Sequence, residues 1–265
     1  MAALDAVGGY RCKGALGRDR PLTGAARGVD LLVIATPDDA VAEVASKVEP
    51  VDSTAVIHLS GSLGLGVLGT HRRRGYLHPL VPLPDETIGS RRLTSGITFA
   101  VAGDPIARRL ADSLGGRALE VDEDDRTAYH AAATIAANHL VALVGQVERV
   151  AATAGLPLDA FAGLMRAALD DAVALGPRCA LTGPAVRGDW GTVERHRAEL
   201  TGMAGHRTEL AAYDAMVGLA RRLSIDAAAG RTQSSAVAAG RTQSSAVVAV
   251  RTQSSAVAAG AERVA

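Results

Sequence analysis

Apolar and polar positions along the first 122 residues fall into short blocks of two kinds. The solid apolar run at 30–36 (DLLVIAT) predicts a parallel strand buried on both faces, since a one-sided strand would alternate with polar residues; a second apolar strand is expected at 55–59, and 97–102 and 117–121 read as further strands. Residues 10–16 and 76–78 read as two shorter strands. Between the strands, the pattern predicts a helix over 1–7 stopped by Gly8 and Gly9, and another over 37–48 capped by Asp38 or Asp39. A third would follow Ser60, Gly61 and Ser62 and end in the basic cluster 72–74. Residues 78–85 form a proline-rich loop, and a further helix covers 105–114. This alternation predicts a parallel sheet in an α/β domain.

After Asp122 the pattern turns wholly helical, with helices expected at 158–175, 189–200 and 206–223 around a turn at 176–182. The longest stretch, 125–155, has Asp124 and Asp125 at its start, no proline, and Gly155 with Pro157 at its end. It predicts one long helix, so apolar around its circumference that burial on more than one side is expected. His130, Thr134 and Asn138 recur at four-residue spacing and, at about 100° per residue, share one stripe. An unpaired buried polar group costs about 1–3 kcal/mol, so the stripe needs a wet cleft or backbone partners within a helical core. From residue 227 the chain repeats itself, with RTQSSAV at 231, 241 and 251, which predicts a disordered or weakly helical tail. The expected organisation is an α/β domain over 1–122, a helical domain over 123–225 and a low-complexity tail over 226–265.

Charge is balanced, 28 basic against 28 acidic residues, so neither nucleic acid nor an anionic membrane is an expected partner. The sequence has neither an apolar run of membrane-spanning length nor a secretory pattern after Met1, and a soluble cytoplasmic protein is expected. Cys12 and Cys179 lack C-x-x-C spacing, the histidines lack metal spacing such as H-E-x-x-H, and no metal is expected.

Six segments carry a resemblance. They are VDLLVIATPDDAV from Val29, HLSG from His58, LHPL from Leu77, YHAAA from Tyr129, NHLVAL from Asn138 and GPRCALTGPAVRGD from Gly176. In this order they resemble a bacterial family that joins a Rossmann-like NAD(P)-binding domain to an all-helical domain catalogued as DUF2520, over roughly residues 10–223. Wider relatives are pyrroline-5-carboxylate reductases, F420-dependent NADP reductases, β-hydroxyacid dehydrogenases and ketopantoate reductases. The resemblance implies an NAD(P)H-dependent oxidoreductase of a small keto acid, with ketopantoate of pantothenate biosynthesis the most concrete substrate, and a homodimer. One departure stands against it. The family should open with a strand and G-x-G-x-x-G, whose glycines admit the pyrophosphate. This sequence lacks that motif, so a Rossmann-like sheet without its first strand and glycine loop is expected, as from a truncated reading frame. The alternative is a non-catalytic ligand-binding or interaction protein, or an inactive remnant.

Within this frame Arg18 would pair with a 2′-phosphate, favouring NADP over NAD, unless it is a solvated turn residue. Thr36, Pro37, Ser60 and Gly61, at carboxyl ends of parallel strands, would line the dinucleotide. His78 could exchange a proton in the same cleft or be structural. His130 is the candidate proton donor on the long helix, and Asn138 would orient the carbonyl oxygen, as an asparagine does in β-hydroxyacid dehydrogenases. Thr182 and Arg187 would receive a substrate carboxylate, unless an Arg187–Asp189 pair merely fixes their loop.

Overall fold

The computed structural model describes residues 2–17 and 20–234, and there the apolar runs become a five-stranded sheet. Its strands are β1 (Leu31–Ile34), β2 (Ala55–His58), β3 (Arg73–Pro79), β4 (Thr98–Gly103) and β5 (Arg117–Glu120), in that spatial order. All neighbours are parallel except β3 and β4, which run antiparallel. An antiparallel pair needs no crossover, and the turn closes with the Leu80 N–H donating to the Thr98 carbonyl at 2.9 Å.

Strand alternation sorts the side chains into two layers. Ile57, Leu77, Phe99 and Val101 face α4 (Ile106–Ser113) and α1 (Ala2–Val7), burying Ala107, Leu110, Ala111 and Ala3. On the opposite face Ile34 and Val56 pack on Val41 and Ala45 of α2 (Asp38–Lys47) and on Leu68 of a single 3-10 turn (Leu65–Leu68). Each large apolar side chain so buried contributes about 1.5–3 kcal/mol. Because Leu77 points into the first layer, Tyr76 and His78 point into the second, and this fixes the site.

Several local expectations give way to packing. Residues 10–16 are not a strand: Gly14 takes φ 121°, outside the β region, and Tyr10 instead packs against the α4 layer with its hydroxyl 2.8 Å from Ser113 Oγ. The helix expected after Ser62 shrinks to one 3-10 turn, since Gly64, Gly66 and Gly69 make an α-helix entropically costly, and Arg73 and Arg74 enter β3. Asp38 and Asp39 do not cap α2: the Asp38 carboxylate accepts from Ser62 Oγ at 2.6 Å. An unexpected helix, α3 (Glu86–Leu93), starts at Asp85, whose carboxylate accepts from the Ile88 N–H.

The long helix is continuous but not uniform. It comprises α5 (Arg126–Thr134), a π-helical turn (Ile135–His139) and α6 (Leu140–Thr153). An α-helix overshoots one turn by about 40° every four residues, and the wider π turn takes up part of that overshoot between Thr134 and Asn138. The expected burial on more than one side does not occur in this chain. Ile135 is 58% exposed and Val141 70%.

Contacts divide the chain into two compact units, Met1–Arg149 and Val150–Ala265, so the division falls inside α6, later than the last strand. The second unit is helical: α7 (Ala162–Leu175), α8 (Pro177–Ala180), α9 (Pro184–Arg187), α10 (Trp190–Gly202) and α11 (His206–Ser234). Within it α7 packs on α8, while α9, α10 and α11 pack together with Val193 and Leu200 buried. An ion pair from Arg197 Nε to Asp214 at 3.2 Å ties α10 to α11. The last helix, expected to stop at 223, runs on to Ser234, and residues 235–265 of the repeat tail lie outside the described residues.

Candidate functional site

Parallel register brings three strand ends together: Ile34 lies beside His58, and His58 beside Tyr76. The residues that follow are Thr36 to Asp38, Ser60 to Ser62, and His78, at the edge where open α/β sheets bind ligands. Ser60 Oγ accepts from the Ser62 and Leu63 N–H groups, each at 3.1 Å, and Ser62 passes its own hydrogen to Asp38. The first two loops are thereby fixed to each other. Thr36 Oγ1 is buried beside them without a hydrogen-bond partner.

Glycine is required at position 61. A Cβ there would lie 2.7 Å from His78 Cε1 and 2.9 Å from each ring nitrogen, so only glycine lets the imidazole lie against the loop. On its other flank His78 meets α5. Its Nδ1 is 2.5 Å from Tyr129 Oη, and its ring meets His130 nearly edge-on, with centroids 6.3 Å apart. Burial, followed by the charges of His130 and Arg126, lowers the His78 pKa below its usual value, with Asp38 opposing. His78 is therefore neutral at pH 7. Burial also raises the Tyr129 phenol to about 12, so it keeps its proton.

Beneath this pair lies a buried stack. His58, fully buried, stacks on Tyr76 with centroids 5.8 Å apart and planes 15° apart. The Arg126 guanidinium sits 3.8 Å over the Tyr76 ring. Arg126 Nη2 pairs with Glu123 Oε1 at 3.0 Å, and the same oxygen accepts from the Leu65 N–H, so the start of α5 is pinned to the sheet. Neither ring nitrogen of His58 has a partner in hydrogen-bond geometry, the nearby Gly64 backbone included. Burial, then the charge of Arg126, holds its pKa down at about 4. A cationic His58 would face Arg126 in a dry space, and the fold keeps it neutral.

Of the residues singled out in the sequence, Thr36, Ser60, Gly61, His78 and His130 gather in the first unit. Pro37 sits directly before α2, and Asn138 is exposed on the π turn. Thr182 and Arg187 belong to the helical unit. The Asp189 carboxylate accepts from the Thr192 N–H at 3.1 Å and Oγ1 at 2.7 Å, capping α10, and Arg187 makes no ion pair with it. Arg18 lies outside the described residues. Four residues of this constellation escaped sequence reading: Tyr76, Tyr129, Arg126 and His58. The usable signal was period two in the run that became β3, which puts Tyr76 and His78 on one face, together with a tyrosine next to His130.

Residues 95–219 match the family model described as "Domain of unknown function (DUF2520)". That match begins before β4 and runs through the helical unit into α11. Among solved structures, protein TM1727 from Thermotoga maritima is 28% identical, with 73% of this chain and 78% of that chain covered at a TM-score of 0.61. Protein BF3122 from Bacteroides fragilis, described as a candidate NADP oxidoreductase, is 20% identical over 73% of this chain and 75% of its own, at 0.60. A reductive aminase from Aspergillus terreus, solved with NADPH and ethyl-5-oxohexanoate, is 14% identical over 77% of each chain, at 0.54. No match was found among curated proteins. The fold is Rossmann-like, a parallel-dominated sheet followed by helices. Within that fold, residues 95–219 are the part similar to the DUF2520 model.

Proposed function

We propose that this protein is an NAD(P)H-dependent oxidoreductase that reduces the carbonyl of a small keto acid. The observation that carries the reading is a histidine, His78, held between Gly61 and Tyr129 at the carboxyl edge of parallel strands. The folds it shares with an NADP oxidoreductase candidate and an NADPH-bound reductive aminase support the same class. Two features fit the nicotinamide half of a dinucleotide: the buried, unpartnered Thr36 Oγ1, and the Gly61 backbone that a Cβ would close. Thr36, Pro37, Ser60 and Gly61 would hold it. The start of α2 is unsuited to the pyrophosphate, because Asp38 and Asp39 crowd its first turn. Arg18 is our candidate for a 2′-phosphate, hence NADP in preference to NAD.

When bound, the nicotinamide supplies the hydride. The chain's part is to hold the carbonyl, polarise it and protonate its oxygen. We assign polarisation to His78, with His130 beside it as the second candidate donor and Asn138 orienting the oxygen. Arg187, free of Asp189, and Thr182 are assigned to the substrate carboxylate. Ketopantoate is the first keto acid to test. We also assign a homodimer, supported by the uncovered apolar residues of α7.

The test is thermal unfolding with NADPH or NADH in hundredfold excess over the dissociation constant, where specific binding adds about 2.7 kcal/mol. NADPH protection followed by turnover of a keto acid supports the reading, and His78→Asn should then lower kcat about a hundredfold. A cooperatively unfolding chain that neither nucleotide protects would overturn it.

A further inference from the structure

We propose that Tyr129 locks His78 as the Nε2–H tautomer and replenishes its Nδ1 with a proton when Nε2–H is given up, so that Tyr129 and His78 form a two-step proton relay. This deepens the reductase reading and rests on it for the chemical step, whereas the tautomer lock stands without it.

Tyr129 Oη and His78 Nδ1 are 2.5 Å apart, and one of them must donate. If Nδ1–H donated, the Tyr129 hydroxyl hydrogen would lack an acceptor among the described residues, since Nδ1 is its one hydrogen-bonding neighbour there, and Tyr129 packs on Tyr76, Ala100 and Val121. At this half-buried position a donor left without a protein acceptor is costly. If the hydroxyl donates, both atoms are satisfied and the single ring hydrogen of neutral His78 must sit on Nε2. That nitrogen has no partner among the described residues, and the ring lies against the open Gly61 backbone, so Nε2–H is the donor left for a ligand. The groups around the ring are consistent with a neutral imidazole: His130 and Arg126 oppose a second proton, and Asp38, which favours one, is weaker than burial and His130. The phenol stays protonated at neutral pH.

A neutral imidazole is a poor acid unless its other nitrogen gains a proton as it loses one. The relay provides this. With a bound nicotinamide supplying the hydride to the carbonyl carbon, His78 would give its Nε2 proton to the carbonyl oxygen, the C=O π pair becoming the new O–H bond. The Tyr129 O–H bond breaks, its proton moves to Nδ1, and the phenolate recovers a proton from water. The ring ends neutral with its hydrogen on Nδ1, and exchange with solvent and Tyr129 restores the starting tautomer. Tyr129 acts through His78 and is a positioning residue.

The experiment is nitrogen-15 correlation spectroscopy of the imidazole side chains in the ligand-free full chain at pH 7.5, with His78 assigned by its loss in His78→Gln. The expected result is a protonated Nε2 and an unprotonated Nδ1 at His78, becoming a mixture of tautomers in Tyr129→Phe. A wild-type His78 protonated on Nδ1, or a Tyr129→Phe spectrum with the lock intact, overturns the proposal whether or not the protein reduces keto acids. With a turnover assay in hand, Tyr129→Phe should lower kcat about tenfold or more at unchanged KM. Unchanged kcat there would overturn the relay while leaving the reductase reading standing.

Discussion

Gly61 and His58 show at the residue scale how one side chain's space and charge set the site. Gly61→Ala must push the His78 ring aside, because its new Cβ would stand 2.7 Å from Cε1. Overpacking of this kind costs about 1–3 kcal/mol, and it should also abolish whatever activity His78 supports. Gly66→Ala, with nothing within 4 Å, is the control that should leave both unchanged in chemical denaturation and assay. His58 predicts a pH dependence. Below about pH 6.5 the unfolded chain binds a proton on this ring that the folded protein refuses until pH about 4, so stability falls as pH drops through that window. The loss should reach about 2 kcal/mol by pH 5, with the depressed His78 adding to it in the same direction. His58→Phe, which keeps a ring against Tyr76, should flatten that dependence in urea titrations at pH 7.5 and 5. An unaltered slope would mean that another group governs acid sensitivity.

Helix starts are the most legible feature at the scale of elements, and the clearest test is α10. Aspartate is a favoured residue at a helix start, and the Asp189 carboxylate accepts from the Thr192 N–H. Asp189→Ala should cost about 1 kcal/mol of stability, while Asp189→Asn retains most of it. Equal losses in both variants would assign the effect to charge rather than to the cap. Asp38 looked equally suited to cap α2, yet it serves Ser62 instead. A local pattern does not reveal that a loop 24 residues away offers a competing donor. Residues 10–16 and the segment after Ser62 failed for the same class of reason: glycines and tertiary contacts outweighed weak local propensity.

For the whole molecule, the unmet demand for burial is the main consequence. Leu164 at 68% and Leu175 at 60% exposure lie only about 20° apart around α7 and leave an uncovered apolar stripe on that helix. If the proposed homodimer uses it, Leu164→Glu should convert a dimer into a monomer by light scattering, with little change in secondary structure by circular dichroism. A wild-type mass of one chain, or a variant that stays dimeric, would remove α7 from the interface.

The sequence by itself determined where the five strands lie between Leu31 and Glu120, the helical remainder, and the placing of Thr36, Ser60, Gly61 and His78 at strand ends. Those features follow from periodicity and chain punctuation, whose physical range is a few residues. Only tertiary structure decided the hydrogen bond between His78 and Tyr129, 51 residues apart, the stack of His58, Tyr76 and Arg126, and the reversal of β4. Each depends on which distant groups compete for one buried space, and that competition is settled by packing.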